Sequence, residues 1–154
     1  MENVEKVIAF FLQKETISPK KLQKLLYYAY AWTLALLNED EEHLDNRLFD
    51  ECFEAWVHGP VLPDVYSKYK EYGWGNIPQD AITVASDSPP DVKDVLEQVW
   101  TVYGGMSGNQ LEAISHQETP WQKARAGVPV YEPSHQKISD VEMFKFYNQQ
   151  ASAI

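Results

Sequence analysis

Four histidines (His43, His58, His116 and His135) and a single cysteine, Cys52, are the residues best suited to metal binding or to nucleophilic and acid–base chemistry. Each needs convergent partners. No two histidines stand four apart, no H-E-x-x-H occurs and there is no second cysteine, so the spacing writes neither a helical zinc pair nor a cysteine cage. An internal disulfide is excluded on the same count. Cys52 lies beside Glu51 and near Glu54, the opposite of the electropositive surroundings that a reactive thiolate needs. Gly105-Met106-Ser107-Gly108-Asn109 approaches the G-x-S-x-G nucleophile elbow, but Asn109 replaces the last glycine and a helical pattern precedes it instead of a strand. Ser107 with Gln110 reads as a capping box. Gly104, Gly105 and Gly108 lack the Lys-Ser/Thr that completes a phosphate loop. No cofactor and no metal are therefore expected. The one enzymatic reading left is a hydrolase using His58 and His116 with a nearby carboxylate.

Two features suit binding. Lys20, Lys21 and Lys24 fall in the first turns of a predicted helix, where positive charge opposes the helix dipole by roughly 0.3–1 kcal/mol each. Such a placement marks a contact with an acidic partner or with the chain's own acidic loop at Glu39 to Glu42, unless the three lysines are simply solvated. The nine tyrosines and five tryptophans are the second feature, dense around Tyr27 to Trp32 and Tyr66 to Tyr72. Core packing accounts for most of them, yet Tyr and Trp are also enriched at interfaces. Lys20, Lys21, Lys24 and Tyr28 are the candidate partner-binding residues.

Composition narrows the partner. A formal charge of −10 opposes binding to nucleic acid and to anionic membranes and suits a basic partner, though acidity also simply aids solubility. Self-association is compatible with it. With 44% hydrophobic and 23% charged residues the chain is globular in composition, and 154 residues suit one domain spanning 1–154. The N-terminal Met-Glu-Asn-Val-Glu-Lys has neither the basic nor the apolar stretch of a signal peptide, so a cytoplasmic location is expected.

The elements that must position these residues follow from periodicity. Val4, Val7, Ile8, Phe11 and Leu12 predict a first helix. Ser18-Pro19 reads as an N-cap followed by proline at the first helical position. The second helix is expected from about Pro19 to Leu37. Its stripe of Leu22, Leu25, Leu26, Ala29 and Leu36 is joined by Tyr27, Tyr28, Tyr30, Trp32 and Leu34, so it is apolar on nearly every side and central to the fold. Alternation of Phe53, Ala55 and Val57 with Glu54, Trp56 and His58 predicts a strand ended by Gly59-Pro60. Ile82-Thr83-Val84 is the expected pairing strand. Further helices begin near Pro60 or Pro63 (stopped by Gly73), span Val92 to Tyr103, and follow Ser107. Another starts at Thr119-Pro120-Trp121 and ends by Gly127, and Ser139 with Glu142 opens the last. The fold class is mainly α: a compact domain of six or seven helices with a small β-hairpin inserted after the second.

The motifs carry a resemblance. Lys21-Leu22-Gln23-Lys24-Leu25-Leu26-Tyr27-Tyr28-Ala29 followed by Trp32 resembles the first signature of the Panacea-domain family, which includes SocA-like antitoxins and phage-associated GepA-type proteins. Phe53 to Val61, with Pro63, Val65 and Tyr66, resembles the second, and its W-x-H-G-P-V core is the most specific stretch. Leu111-Glu112-Ala113-Ile114-Ser115-His116 with Glu118, Pro120 and Trp121 resembles the third, with Ala113 and Ser115 departing from a more polar Ser/Thr pattern. The resemblance implies a non-enzymatic antitoxin that neutralises a partner toxin by direct binding. An adaptor that delivers a client to a protease is the alternative in the same class. The motif residues also have structural readings. Gly59 permits a tight turn and Pro60 pre-sets the next backbone angle. His58 can hydrogen-bond across that turn, His116 can cap a helix C-terminus as a cation, and Pro120-Trp121 can start a helix and drop an indole onto the core. Trp56 and Tyr66 complete this motif set as structural positions.

Overall fold

Helix α2 (Pro19–Leu37) begins where capping chemistry predicts: the Ser18 hydroxyl accepts from Lys21 N–H at 3.2 Å, and proline takes the first turn, where its missing donor costs nothing. In the computed structural model, which describes residues 1–152, this helix is the axis of the structure. Every residue from Leu22 to Ala31 is buried, because other elements lie on all sides of it. These are α7 (Asp140–Ser152), α4 (Pro90–Tyr103), α5 (Gly108–His116), α1 (Val4–Lys14), α3 (Pro63–Tyr69) and a strand of the hairpin. Helix α6 (Thr119–Ala124) packs on α5 and α7.

All-round burial takes the aromatic residues of α2 inward. Tyr28 stacks on Tyr103 with ring centroids 4.1 Å apart, and Tyr27 meets Phe53 edge-on at 5.4 Å. Buried hydroxyls need partners. Glu118 Oε1 accepts from the Tyr28 hydroxyl at 2.7 Å and from the Tyr147 hydroxyl at 2.8 Å, and Tyr147 also lies 3.1 Å from the Tyr27 hydroxyl. Tyr30 donates to Asp140 at 2.9 Å, and the Trp32 indole N–H donates to the Tyr103 hydroxyl at 2.9 Å. Burial pushes the Glu118 carboxyl above its usual range, while the hydroxyls of Tyr28 and Tyr147 work the other way.

The hairpin corrects one expectation. Strand β1 (Glu54–Trp56) pairs with β2 (Gly59–Val61), antiparallel, with Ala55 opposite Pro60. Gly59-Pro60 therefore does not end the strand; it opens the returning one. Gly59 has φ +105°, a conformation that reverses the chain after a two-residue turn and that L side chains rarely adopt. Ile82-Thr83-Val84 stays irregular, next to a 3-10 turn at Gln79–Ala81. Strands of three residues do not stand alone. Here the far edge of β1 is held by Ala55 N–H donating to Gln136 O at 2.8 Å and Ile138 N–H to Phe53 O at 2.9 Å. The Gln23 amide grips the residue after β2, accepting from Leu62 N–H at 2.8 Å and donating to Leu62 O at 3.2 Å. Two stop signals also act at a distance from the helix end. Helix α3 passes into a 3-10 turn (Lys70–Tyr72) before Gly73, and α6 ends ahead of Gly127. Beyond α6 the Arg125 guanidinium donates to the carbonyls of Ala55, Pro129, Val130 and Glu132, tying the loop that follows to β1.

Glu118→Gln keeps an acceptor for both tyrosines and removes the buried charge. Its stability at neutral pH should equal or exceed that of the parent, whereas Glu118→Ala, which orphans the Tyr28 hydroxyl and leaves Tyr147 only its contact with Tyr27, should cost about 1–3 kcal/mol in urea unfolding. Because the folded carboxyl ionises at higher pH than the ordinary 4.5, the parent should lose stability as pH rises from that value through the folded one. The glutamine variant should not show that loss.

Candidate functional site

Lys20 and Lys24 share one face of α2 at the i, i+4 spacing, and this face looks toward the hairpin and α5. Lys24 is 1% exposed, and its Nζ donates to Pro60 O at 3.0 Å. The approach is possible because residue 59 is glycine: a Cβ there would lie 2.8 Å from Lys24 Cε and 3.1 Å from Ser115 Oγ. Three stretches far apart in the chain, at residues 21–32, 53–66 and 111–121, thus meet around one ammonium group.

Glu112 anchors the neighbouring charges. Its Oε1 lies 2.8 Å from Lys20 Nζ and its Oε2 lies 3.3 Å from His58 Nδ1, while Lys20 also donates to Asn109 Oδ1 at 2.9 Å. Burial alone would raise the Glu112 carboxyl; hydrogen bonds from Lys20 and His58 outweigh it and hold the group below its ordinary value. Burial drives Lys24 the other way, down to about 7, with the Glu112 carboxylate opposing the fall and the Lys20 charge reinforcing it.

The histidines differ from both readings of them. His58 does not bond across its own turn; its ring is exposed and reaches α5 through Glu112. His116 stands in the last turn of α5, but burial lowers its pKa, with Glu112 opposing, so it sits there as a neutral ring and not as a cationic cap. It stacks on Trp121 at 4.1 Å, and its Nε2 is buried without a hydrogen-bond partner. His58 faces solvent and lines the groove, whereas His116 is half-buried with its Nε2 covered and is not among the groove's lining residues. Trp121 is buried as its position after Pro120 predicts, and its indole N–H donates to Trp56 O at 2.9 Å. Trp56 meets Tyr66 edge-on at 5.0 Å.

Above these residues opens a groove of about 530 Å3, bounded by the first turns of α2, by β2, by α3 and by the start of α5. Trp56, Val61, Val65 and Tyr66 form its apolar walls, and Lys20, Lys24, Lys70 and His58 are its charged or titratable lining, with no Asp or Glu among the lining residues. Trp74 stands on the rim, 89% exposed, with Lys20 Nζ 5.7 Å from its ring centroid. Of the four candidate contacts, Lys20 and Lys24 line this groove. Lys21 points elsewhere, donating to Gly104 O at 2.6 Å and to Glu15 at 3.0 Å. Tyr28 is fully buried, which corrects its reading as a partner contact. The lysines are not simply solvated either: Lys24 is buried, and Lys20 and Lys21 are paired with acidic residues. Sequence reading passed over Lys70, Asn109 and Trp74. Gly73-Trp74-Gly75 did carry a signal, since an indole between two glycines has no flanking side chain to cover it. Among the described residues, no group of three or more His, Cys, Asp or Glu side chains is placed to hold a metal ion, and no helix is long and apolar enough to cross a membrane.

Comparison with known proteins matches residues 22–122 to the family described as Antitoxin SocA-like, Panacea domain. A curated relative, the Antitoxin SocA of Caulobacter vibrioides (strain NA1000 / CB15N), is 36% identical over 116 residues, covering 68% of this chain and 58% of the relative. The match thus spans less than two thirds of that protein's length. No solved structure matches.

Lys24 loses its proton at about 7 in the folded chain and at the ordinary 10.5 when unfolded. The unfolded chain therefore binds the extra proton between these values, and Lys24 should make stability rise with pH across that window by at most about 1.4 kcal/mol per pH unit. Urea midpoints at several pH values should show this rise in the parent and not in Lys24→Met.

Proposed function

The chain belongs to the family of SocA-like antitoxins built on the Panacea domain, and from that premise we propose that it neutralises a partner toxin by direct, non-covalent binding, without turnover. The observation that carries this reading is the groove of about 530 Å3 at the meeting point of the three motif segments. Its rim leaves the Trp74 ring in solvent, where a folded chain gains little by keeping it, and exposes part of Tyr66 beside it. Exposed aromatic residues beside a concave surface are the common anchors of protein interfaces. In this reading Lys20 and Lys24 contact the partner. Trp56, His58, Gly59, Pro60, His116, Pro120 and Trp121 shape the floor and hold it to α2 and α5.

Blocking is stoichiometric, which separates it from catalysis. Co-expression with the toxin encoded beside its gene should restore growth, and the two purified proteins should form a stable complex. Trp74→Ala should weaken that complex by about tenfold with no change in melting temperature, because the indole is exposed. Absence of both protection and complex would sink the proposal. Faster toxin turnover in place of a stable complex would replace blocking with delivery to a protease.

A further inference from the structure

The groove's chemistry points beyond partner binding in general to the kind of segment it takes. Resting on the reading above, we propose that it receives a stretch of the partner in which a glutamate or aspartate side chain stands beside a large aliphatic or aromatic one.

The charge inventory is the first argument. The sequence holds 23 acidic against 13 basic residues, yet the groove is lined by three lysines and a histidine and by no carboxylate. A concave patch of sign opposite to the rest of the molecule selects an occupant of complementary charge. Glu112, behind the lining, is ion-paired with Lys20 and His58 and reaches Lys24 only through space. Among the described residues no carboxylate lies within ion-pair distance of Lys24 or Lys70. The Lys24 ammonium has three N–H donors and one acceptor, Pro60 O. A buried cation so sparsely satisfied gains from a second acceptor.

The walls supply the second half of the specificity. Val61 and Val65 offer aliphatic surface, and Trp56, Tyr66 and Trp74 offer ring faces and edges. An apolar side chain entering here is removed from water on several sides. Depth decides that the acid is a side chain and not a chain terminus. Lys24 lies covered at the floor and Lys70 is exposed, so an entering acidic side chain would meet Lys70 first and approach Lys24 from the groove, while the partner's backbone stays at the rim, where its N–H and C=O groups keep water.

The test uses blocked peptides, acetyl-Gly-Trp-Glu-Leu-Gly-amide and its glutamine counterpart, titrated into the isotopically labelled full chain and followed by NMR. Perturbation of the Trp56 and Trp74 indole N–H signals is expected. The glutamate peptide should bind about fivefold more tightly than the glutamine one, and Lys70→Glu should erase that difference. Lys70 is exposed and takes part in no ion pair among the described residues, so this variant should fold normally. Equal affinity of the two peptides, or signals that move only elsewhere, overturns the proposal. The antitoxin reading fails separately. If the toxin is neutralised but its complex is unaffected by Lys70→Glu, this groove assignment falls and the antitoxin reading stands. If the glutamate peptide binds as expected and no toxin is neutralised, the groove chemistry stands and the antitoxin reading falls.

Discussion

Burial of α2 on every side is the constraint from which the rest of the structure follows. A helix that meets other elements all round cannot leave any polar side chain to water, so each one must find a partner inside the protein. Gln23 finds the backbone of Leu62, Lys24 the carbonyl of Pro60, Tyr28 the carboxylate of Glu118, Tyr30 that of Asp140 and Trp32 the hydroxyl of Tyr103. These partners lie on four segments: the end of the hairpin, the turn before α6, α7 and α4. The helix therefore organises the surrounding elements twice, through its apolar surface and through its polar groups, and the second role fixes their register.

The hairpin shows how far this goes. Two three-residue strands have too few ladder bonds to persist alone, and Gly59 opens the second without a side chain to pack. Gln23 and Lys24, adjacent on α2, hold its returning strand from one side, while Trp121 and Arg125 hold β1 from the other. Burying an ammonium group is costly, and an apolar residue in place of Lys24 would often be at least as stable. Its presence beneath the groove is what the proposed acidic contact would use.

Charge is distributed by the same logic. The acidic excess keeps most of the surface negative, and the basic groups near the groove come from α2, the hairpin and the end of α3, around a single carboxylate on α5. Glu112 is held ionised by Lys20 and His58, fixes their positions and, at longer range, favours the charged form of Lys24. In the proposed reading this groove is the preferred face for encounter, since an acidic patch on a partner would be drawn there and repelled elsewhere.

Local chemistry was readable directly. Ser18-Pro19 and Ser107 with Gln110 are caps whose partners lie within three residues, and the stripe from Leu22 to Leu36 marks its helix by period alone, so α2, α4 and α5 start or stop where the residues say. The three motifs likewise identify the family from residues 22–122. Tertiary structure decided what depended on distant partners. The returning strand at Gly59–Val61 has almost no alternation to announce it and exists through β1 and α2. Tyr28 looked like a contact and is core, and three lysines that look alike in sequence separate into one buried group, one groove ion pair and one tether to Gly104. Helix period and capping are set by neighbours a turn away, whereas burial and charge pairing are set by residues 36 to 92 positions apart, here Lys24 with Pro60 and Lys20 with Glu112.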